Sequence, residues 1–250
     1  MLFKSKKLES YKLRGTDGEI GSVKDFYFDD KYWAIRYLVA DTGNWLTGKQ
    51  VLVSPYSLVT IDEKEKNIIT NLNENQIENS PSLDSDKPVS RQFEKDYSEY
   101  YAFPEYWQGR LMWGAFPHIP AETIEMQKEK EEEEAESWDP HLRSTKDVTG
   151  HGIEANDGEI GHVEGFVIDS ENWAIRYLVV DTKNWWGGKK VLISPQWIER
   201  ISWKESKVFI NLSRESIKQS PEYTDDFSVN RDYEDQLHKH YERKGYWVDE

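Results

Sequence analysis

A chain of 250 residues is long enough for two domains of ordinary size, and a formal charge of −15 argues against an extended phosphate-binding face, because affinity for DNA or RNA rests on cations that neutralise phosphates. The absence of cysteine removes disulfides, a thiolate nucleophile and any Cys-based metal site. No apolar run approaches the ~18 residues of a spanning helix, and the opening Met1-Leu2-Phe3-Lys4-Ser5-Lys6-Lys7 lacks a secretory hydrophobic region, so a cytoplasmic protein with no transmembrane segment is expected, peripheral membrane association being left open.

Aromatic residues make up 14% of the chain, which favours sheet, since Trp, Tyr and Phe fit a pleated, half-buried surface. The elements recur in two copies. Residues 8 to 15 lead as a strand into Asp17-Gly18, and Asp157-Gly158 repeats the signal for a tight hairpin. The return strand carries Ile20, Val23, Phe26 and Phe28, or Ile160, Val163, Phe166 and Ile168, with Gly21 and Gly161 where a bulge or bend is expected. Next comes Trp33-Ala34-Ile35-Arg36-Tyr37-Leu38-Val39-Ala40-Asp41-Thr42, which returns 140 positions later as Trp173-Ala174-Ile175-Arg176-Tyr177-Leu178-Val179-Val180-Asp181-Thr182. Both faces of this stretch are largely apolar, the pattern of a central strand. The match runs without a gap from Asp17–Ile61 to Asp157–Ile201, with more than half of the positions identical, so the chain is an internal duplication.

A tryptophan-bearing loop follows in each copy, 43 to 49 and 183 to 189, then a short strand ended by Ser54-Pro55 or Ser194-Pro195. Further strands are predicted at 57 to 62 and 67 to 72, and at 197 to 203 and 207 to 212. About six short strands per copy with frequent turns is the pattern of a small barrel. Capped helical turns follow near 73 to 77 and 213 to 217, and helices are predicted over 90 to 101 and 230 to 243. The predicted division is a first repeat over 1–108, a linker over 109–145, and a second repeat over 146–250. Within the linker, Lys128 to Glu136 is a mostly acidic run, read as exposed helix or disorder.

The series Asp-Gly-Glu-Ile-Gly, Trp-Ala-Ile-Arg-Tyr-Leu-Val-Val-Asp-Thr and Asn-Trp-Trp-Gly-Gly-Lys-Lys-Val-Leu-Ile-Ser-Pro, with the lead-in Leu142-Arg143-Ser144, resembles the PRC-barrel family in both repeats. The family includes the barrel of the photosynthetic reaction-centre H subunit's cytoplasmic domain and a similar C-terminal domain of a ribosome maturation factor, which dock on partners and do no chemistry. The resemblance implies a mainly β fold of two tandem small PRC-type β-barrels, each with a C-terminal helical appendage. The reaction-centre subunit's membrane helix and the maturation factor's N-terminal domain are not found here.

The candidates for chemistry are few. Gly43-Asn44-Trp45-Leu46-Thr47-Gly48-Lys49-Gln50 approaches a phosphate-binding loop, but Gln50 stands where a hydroxyl should hold magnesium, Lys183 replaces the first glycine in the second copy, and the loop leads into a strand. Arg36 and Arg176, on apolar strands, suit either an anionic ligand or a structural pair with Asp41 and Asp181 or with the hairpin acids Asp17, Glu19, Asp157 and Glu159. Those same acids are the candidates for paired-carboxylate catalysis, although Asp-Gly sets the turn by itself. His238 and His240 are two apart on a predicted helix, so they diverge instead of converging on a metal. Ser54 and Ser194 read as turn residues.

The binding candidates are therefore Trp45, Trp185, Trp186, Lys49, Lys189, Arg36 and Arg176, with Trp enriched at binding hot spots. Trp45 and Trp185, matched across the duplication, are expected to pack inward, and Trp186 to be the exposed member. The expected function is a non-enzymatic protein-interaction or scaffold protein, with no cofactor, no metal and a protein partner; a homo-oligomer is left open. The alternative is a small-ligand or carbohydrate-binding module using loop tryptophans and carboxylates. Each repeat is expected to be an independent barrel.

Overall fold

The structure, a computed structural model, describes residues 1–46, 48–81, 83, 89–106, 142–182, 188–225 and 229–248. It is mainly β, with two seven-stranded sheets and few helices. The first half contributes β1 (Leu2–Lys4), β2 (Lys12–Arg14), β3 (Glu19–Asp29), β4 (Ala34–Asp41), β5 (Gln50–Val53), β6 (Leu58–Asp62) and β7 (Asn67–Thr70). The second contributes β8 (Leu142–Ser144), β9 (Gly152–Ala155), β10 (Gly158–Asp169), β11 (Ile175–Asp181), β12 (Lys190–Ile193), β13 (Ile198–Ser202) and β14 (Lys207–Ile210).

One sheet runs β5-β4-β3-β2-β7-β6 and the other β12-β11-β10-β9-β14-β13, with β2 parallel to β7 and β9 parallel to β14. The end strands β5 and β6 are consecutive in the chain, joined through a 3-10 turn at Pro55–Ser57. The sheet is therefore rolled until its two ends meet at that corner. No ladder joins them among the described residues, so the expected closed barrel is a rolled, open sheet here. Pro55, lacking an N–H, sits where the ladder stops. Rolling also needs close backbone passage at Gly21 and Gly161. A Cβ at these positions would lie 2.0 and 2.1 Å from the carbonyl oxygens of Asp41 and Asp181, a space that only glycine leaves.

The halves are not self-contained. The long strand β3 pairs along one edge with β4 and along the other with β2, but β2 covers only its first part. The rest of that edge, Tyr27 to Asp29, pairs with Ser144, Arg143 and Leu142 of β8. Reciprocally, β1 pairs with β10, Leu2 opposite Asp169 and Lys4 opposite Val167. Each half thus lends its lead-in strand to the other, and β8 lies in the stretch expected as linker. The expectation of independent barrels gives way to an intertwined pair.

The exchange is reinforced at the pseudo-two-fold axis. Trp33 and Trp173 adopt left-handed backbone conformations, φ 54° and 58°, which is uncommon for a bulky residue. This turns each tryptophan carbonyl across to the other half, where it accepts from Ile175 N at 2.7 Å and Ile35 N at 2.8 Å. Phe28 stacks on Trp33 and lies 5.7 Å from Phe166. One hydrophobic core consequently runs through both halves, from Leu13, Ile20 and Phe26 to Ile160, Phe166 and Leu178.

Helices α1 (Ser5–Leu8) and α4 (Thr145–Val148) follow the lead-in strands, and α2 (Glu74–Glu78) and α5 (Arg214–Gln219) follow β7 and β14. The longer α3 (Arg91–Tyr101) and α6 (Arg231–His240) are N-capped by Ser90 and Asn230. They lie over the sheets, with Tyr97 OH donating to Leu52 O at 3.2 Å and accepting from Ser54 N at 3.0 Å.

Candidate functional site

The buried arginines find their partners on the preceding strand. Arg36 Nη2 donates to Asp29 Oδ2 at 3.3 Å, and Arg176 donates to Asp169 Oδ2 from Nη2 at 3.0 Å and Nε at 3.3 Å. The pairing is structural, but the acids are Asp29 and Asp169, seven positions before each arginine, and not Asp41, Asp181 or the hairpin acids. The tight turn at Trp33 or Trp173 folds the end of one strand back beside the next and brings the two charges together. Each guanidinium also lies over a tyrosine ring, Tyr106 at 4.0 Å and Tyr246 at 3.8 Å.

Those tyrosines lead to a buried carboxylate on each long helix. Glu94 accepts from Tyr106 OH at 2.5 Å, Tyr37 OH at 3.2 Å and Arg91 Nη1 at 2.9 Å. Glu234 accepts from Tyr177 OH at 2.8 Å and Tyr246 OH at 2.9 Å and pairs with Arg231. Burial pushes Glu94 above the usual carboxylate range, partly offset by Arg91. The same burial, with Glu94 beside them, pushes the Tyr37 and Tyr106 hydroxyls up, so both remain donors. These duplicated clusters pin α3 and α6 to the sheets. They were missed in the sequence, although Arg-x-x-Glu at 91/94 and 231/234, with Tyr106 and Tyr246 at the same offset, was a readable signal.

The second cluster carries one addition. His238 stands where the first half has Ser98; its Nε2 lies 3.1 Å from Tyr177 OH and its Nδ1 2.9 Å from Lys244 O, with Trp197 and Trp247 against the ring. Burial holds its pKa below the ordinary histidine value. Among the described residues no group of three or more His, Asp or Glu side chains is placed to hold a metal.

The remaining candidates hold local structure. Asp17 Oδ1 accepts from Glu74 N and Asp157 Oδ1 from Arg214 N, so the hairpin acids cap α2 and α5. Glu19 pairs with Lys12. At the other end of these helices Lys49 Nζ donates to Ser80 O at 3.4 Å, and Lys189 Nζ to Ser220 O at 2.7 Å and Lys218 O at 2.5 Å. Both lysines serve the orphan carbonyls of a helix C-terminus. Trp45 divides its surface: its indole N–H donates to Ile20 O at 2.7 Å, while 38% of the residue stays exposed. Trp185, Trp186 and the acidic run lie outside the described residues.

A different feature was not expected from the sequence. A cavity of about 230 Å³ opens between β1 and β6, lined by Met1 and Phe3, by Leu58 to Ile61, and by Ser170 and Trp173 of the other half. Val59 and Met1 at this place are 65% and 64% exposed.

The fold class is that of a tandem, mainly β protein whose duplicated buried charges serve its own architecture. The family model of the PRC-barrel domain matches residues 2–76 and 153–217, together more than half of the chain, and the chain belongs to that family as two tandem PRC domains. No curated protein matches the chain. Among the described residues no helix is long and apolar enough to cross a membrane.

Proposed function

We propose that the chain is a non-enzymatic interaction or scaffold protein built from two fused PRC-barrel units. The observation that carries this reading is the use made of the ionisable residues. Arg36 and Arg176 tie adjacent strands, Glu94 and Glu234 pin helices to sheets, and Asp17, Asp157, Lys49 and Lys189 hold helix ends, so the described surface offers shape in place of a nucleophile with its base. Strand exchange and a shared core make the pair one body, a sound basis for holding a partner. In this reading each rolled sheet with its long helix acts as a small barrel with a helical appendage, working in the cytoplasm.

The test pairs two assays on the full chain. Immobilised protein is exposed to native cell extract, and the free protein is titrated with soluble sugars and polyols while tryptophan emission is followed. A reproducible stoichiometric protein partner without a saturable sugar response supports the reading. A saturable sugar response without such a partner overturns it in favour of small-ligand binding.

A further inference from the structure

The two exchanged strands are held by different chemistry. Asp25, a buried carboxylate of β3, grips β8 and α4: its Oδ2 accepts from Ser144 Oγ at 2.5 Å, and its Oδ1 from Thr145 Oγ1 at 2.8 Å and Lys146 N at 3.3 Å. Those three donors would leave with β8, and Asp25 would keep only Phe26 N, at 2.8 Å, from its own half. A carboxylate short of donors in a poorly hydrated place is costly, so β8 stays closed.

β1 lacks such a clamp, because Gly165 stands at the place of Asp25. Its hold is largely ionic, with the cations on β1 and α1 and the anions on the seat. Lys4 Nζ reaches Glu164 Oε1 at 3.2 Å and Asp225 Oδ1, Lys6 lies 3.6 Å from Glu164, and Lys7 pairs with Glu63 at 2.7 Å. The Met1 ammonium lies 3.2 Å from Glu171 and 3.4 Å from Asp169. Each acid of the seat has a second cation or faces water. Lys190 of β12 also pairs with Glu164 and Asp225, Arg176 holds Asp169, and Glu63 and Glu171 are exposed. Departure of β1 therefore strands no buried charge. Lys4, Glu164 and Lys190 correspond to Ser144, Lys24 and Gln50, so the other half has no equivalent of this charge cluster.

Apolar anchoring differs in the same sense. Leu142 is buried where Leu2 is half-buried, and Phe3, the buried apolar side chain of β1, borders the cavity. Leu8 is fully buried and anchors the end of α1, which keeps the movable part short. We propose that β1 is an ionic strap over the outer edge of β10, opening ahead of the rest of the fold as ionic strength rises, while β8 stays closed. The screening length falls from about 30 Å at 0.01 M salt to below 10 Å above 0.1 M. Asp225, Lys6 and Lys7 face water and feel that change, whereas the buried bonds of Asp25 are screened little. Opening frees β10 from Val167 to Asp169 and leaves both rolled sheets intact. The strap does not depend on the interaction reading above.

The experiment is hydrogen exchange followed by mass spectrometry on the full chain in about 0.01 M and 0.5 M sodium chloride, each rate divided by that of the unfolded chain at the same salt. The duplication supplies the control. Peptides covering 1–4, and the Ser170 amide that donates to Met1 O at 2.9 Å, should exchange roughly tenfold or more faster at high salt, while those covering 142–146 keep their protection. Lys4→Met keeps the aliphatic stem without the charge, and Lys190 still holds Glu164 and Asp225. This variant should melt close to the native chain, expose 1–4 already at low salt and respond less to added salt. Equal opening of both lead-in strands overturns the proposal, as does exchange of 1–4 that is independent of salt or no faster than that of the sheet cores.

Discussion

Replacing Arg176 by alanine removes a guanidinium that reaches Asp169 with two nitrogens and covers the Tyr246 ring. Only 7% of the arginine side chain and 11% of the aspartate's is exposed, so the aspartate left behind cannot regain full hydration. Breaking a buried pair by deleting one partner costs about 3–5 kcal/mol. Asp169 Oδ1 still accepts from Glu171 N at 3.1 Å, which places the expected loss near the lower end, about 3 kcal/mol. For a chain of this length that is a fall in melting temperature of roughly 6–12 °C. The assay is thermal unfolding of Arg176→Met, Asp169→Asn and the double variant beside Arg176→Ala. Removing both charges should cost less than the two single losses added together, because no charge is then stranded. A melting temperature for Arg176→Ala within about a degree of the native chain, or strictly additive single losses, would refute the assignment.

Gly161→Ala would place a Cβ 2.1 Å from Asp181 O, backbone that cannot move without opening the roll, and a loss of about 3 kcal/mol is expected in chemical denaturation; a native midpoint would contradict the close passage. His238 is held below its ordinary pKa, so its unfolded form takes up a proton more readily than its folded form. Stability is then full above about pH 6.5 and falls as pH drops through that value toward the folded pKa. His238→Ser, which copies Ser98, should flatten this part of the melting profile between about pH 7.5 and 5.5, and parallel profiles for the two proteins would rule the titration out.

The duplicated stretch of apolar alternation made the strands readable, because a strand whose two faces are both buried shows it in its own residues, as Ile35 to Val39 do. The exchange could not be read in the same way. β1 and β8 are three residues each, Leu-Phe-Lys and Leu-Arg-Ser, and nothing local says which long strand they join, since Lys4 meets Val167 across more than half the chain. The arginine partners were mislaid for a related reason. Trp33 reads as the start of a strand, whereas its left-handed backbone makes it a turn, and the turn selects Asp29 over Asp41. Lys49 and Lys189 looked like loop cations free to bind because the helix ends they cap lie about 30 positions away. The cavity between β1 and β6 is legible only in space, since Phe3, Leu58 and Trp173 come together only once the lead-in strand has crossed to the other half.

Exchange of the lead-in strands is tested most directly by engineered cysteines, because the chain has none of its own. Lys4 stands opposite Val167 of the other half, while pairing within its own half, as β8 pairs with β3, would set it opposite Tyr27. The variants Lys4→Cys/Val167→Cys and Lys4→Cys/Tyr27→Cys are each oxidised at low protein concentration, and bridged monomer is measured by mass and non-reducing electrophoresis. A disulfide needs Cα atoms within about 7 Å, so the exchanged pair should close rapidly as a monomer while the pair within one half stays reduced. Rapid closure of the Lys4→Cys/Tyr27→Cys variant, with the other unbridged, would show two separate halves and contradict the intertwined fold.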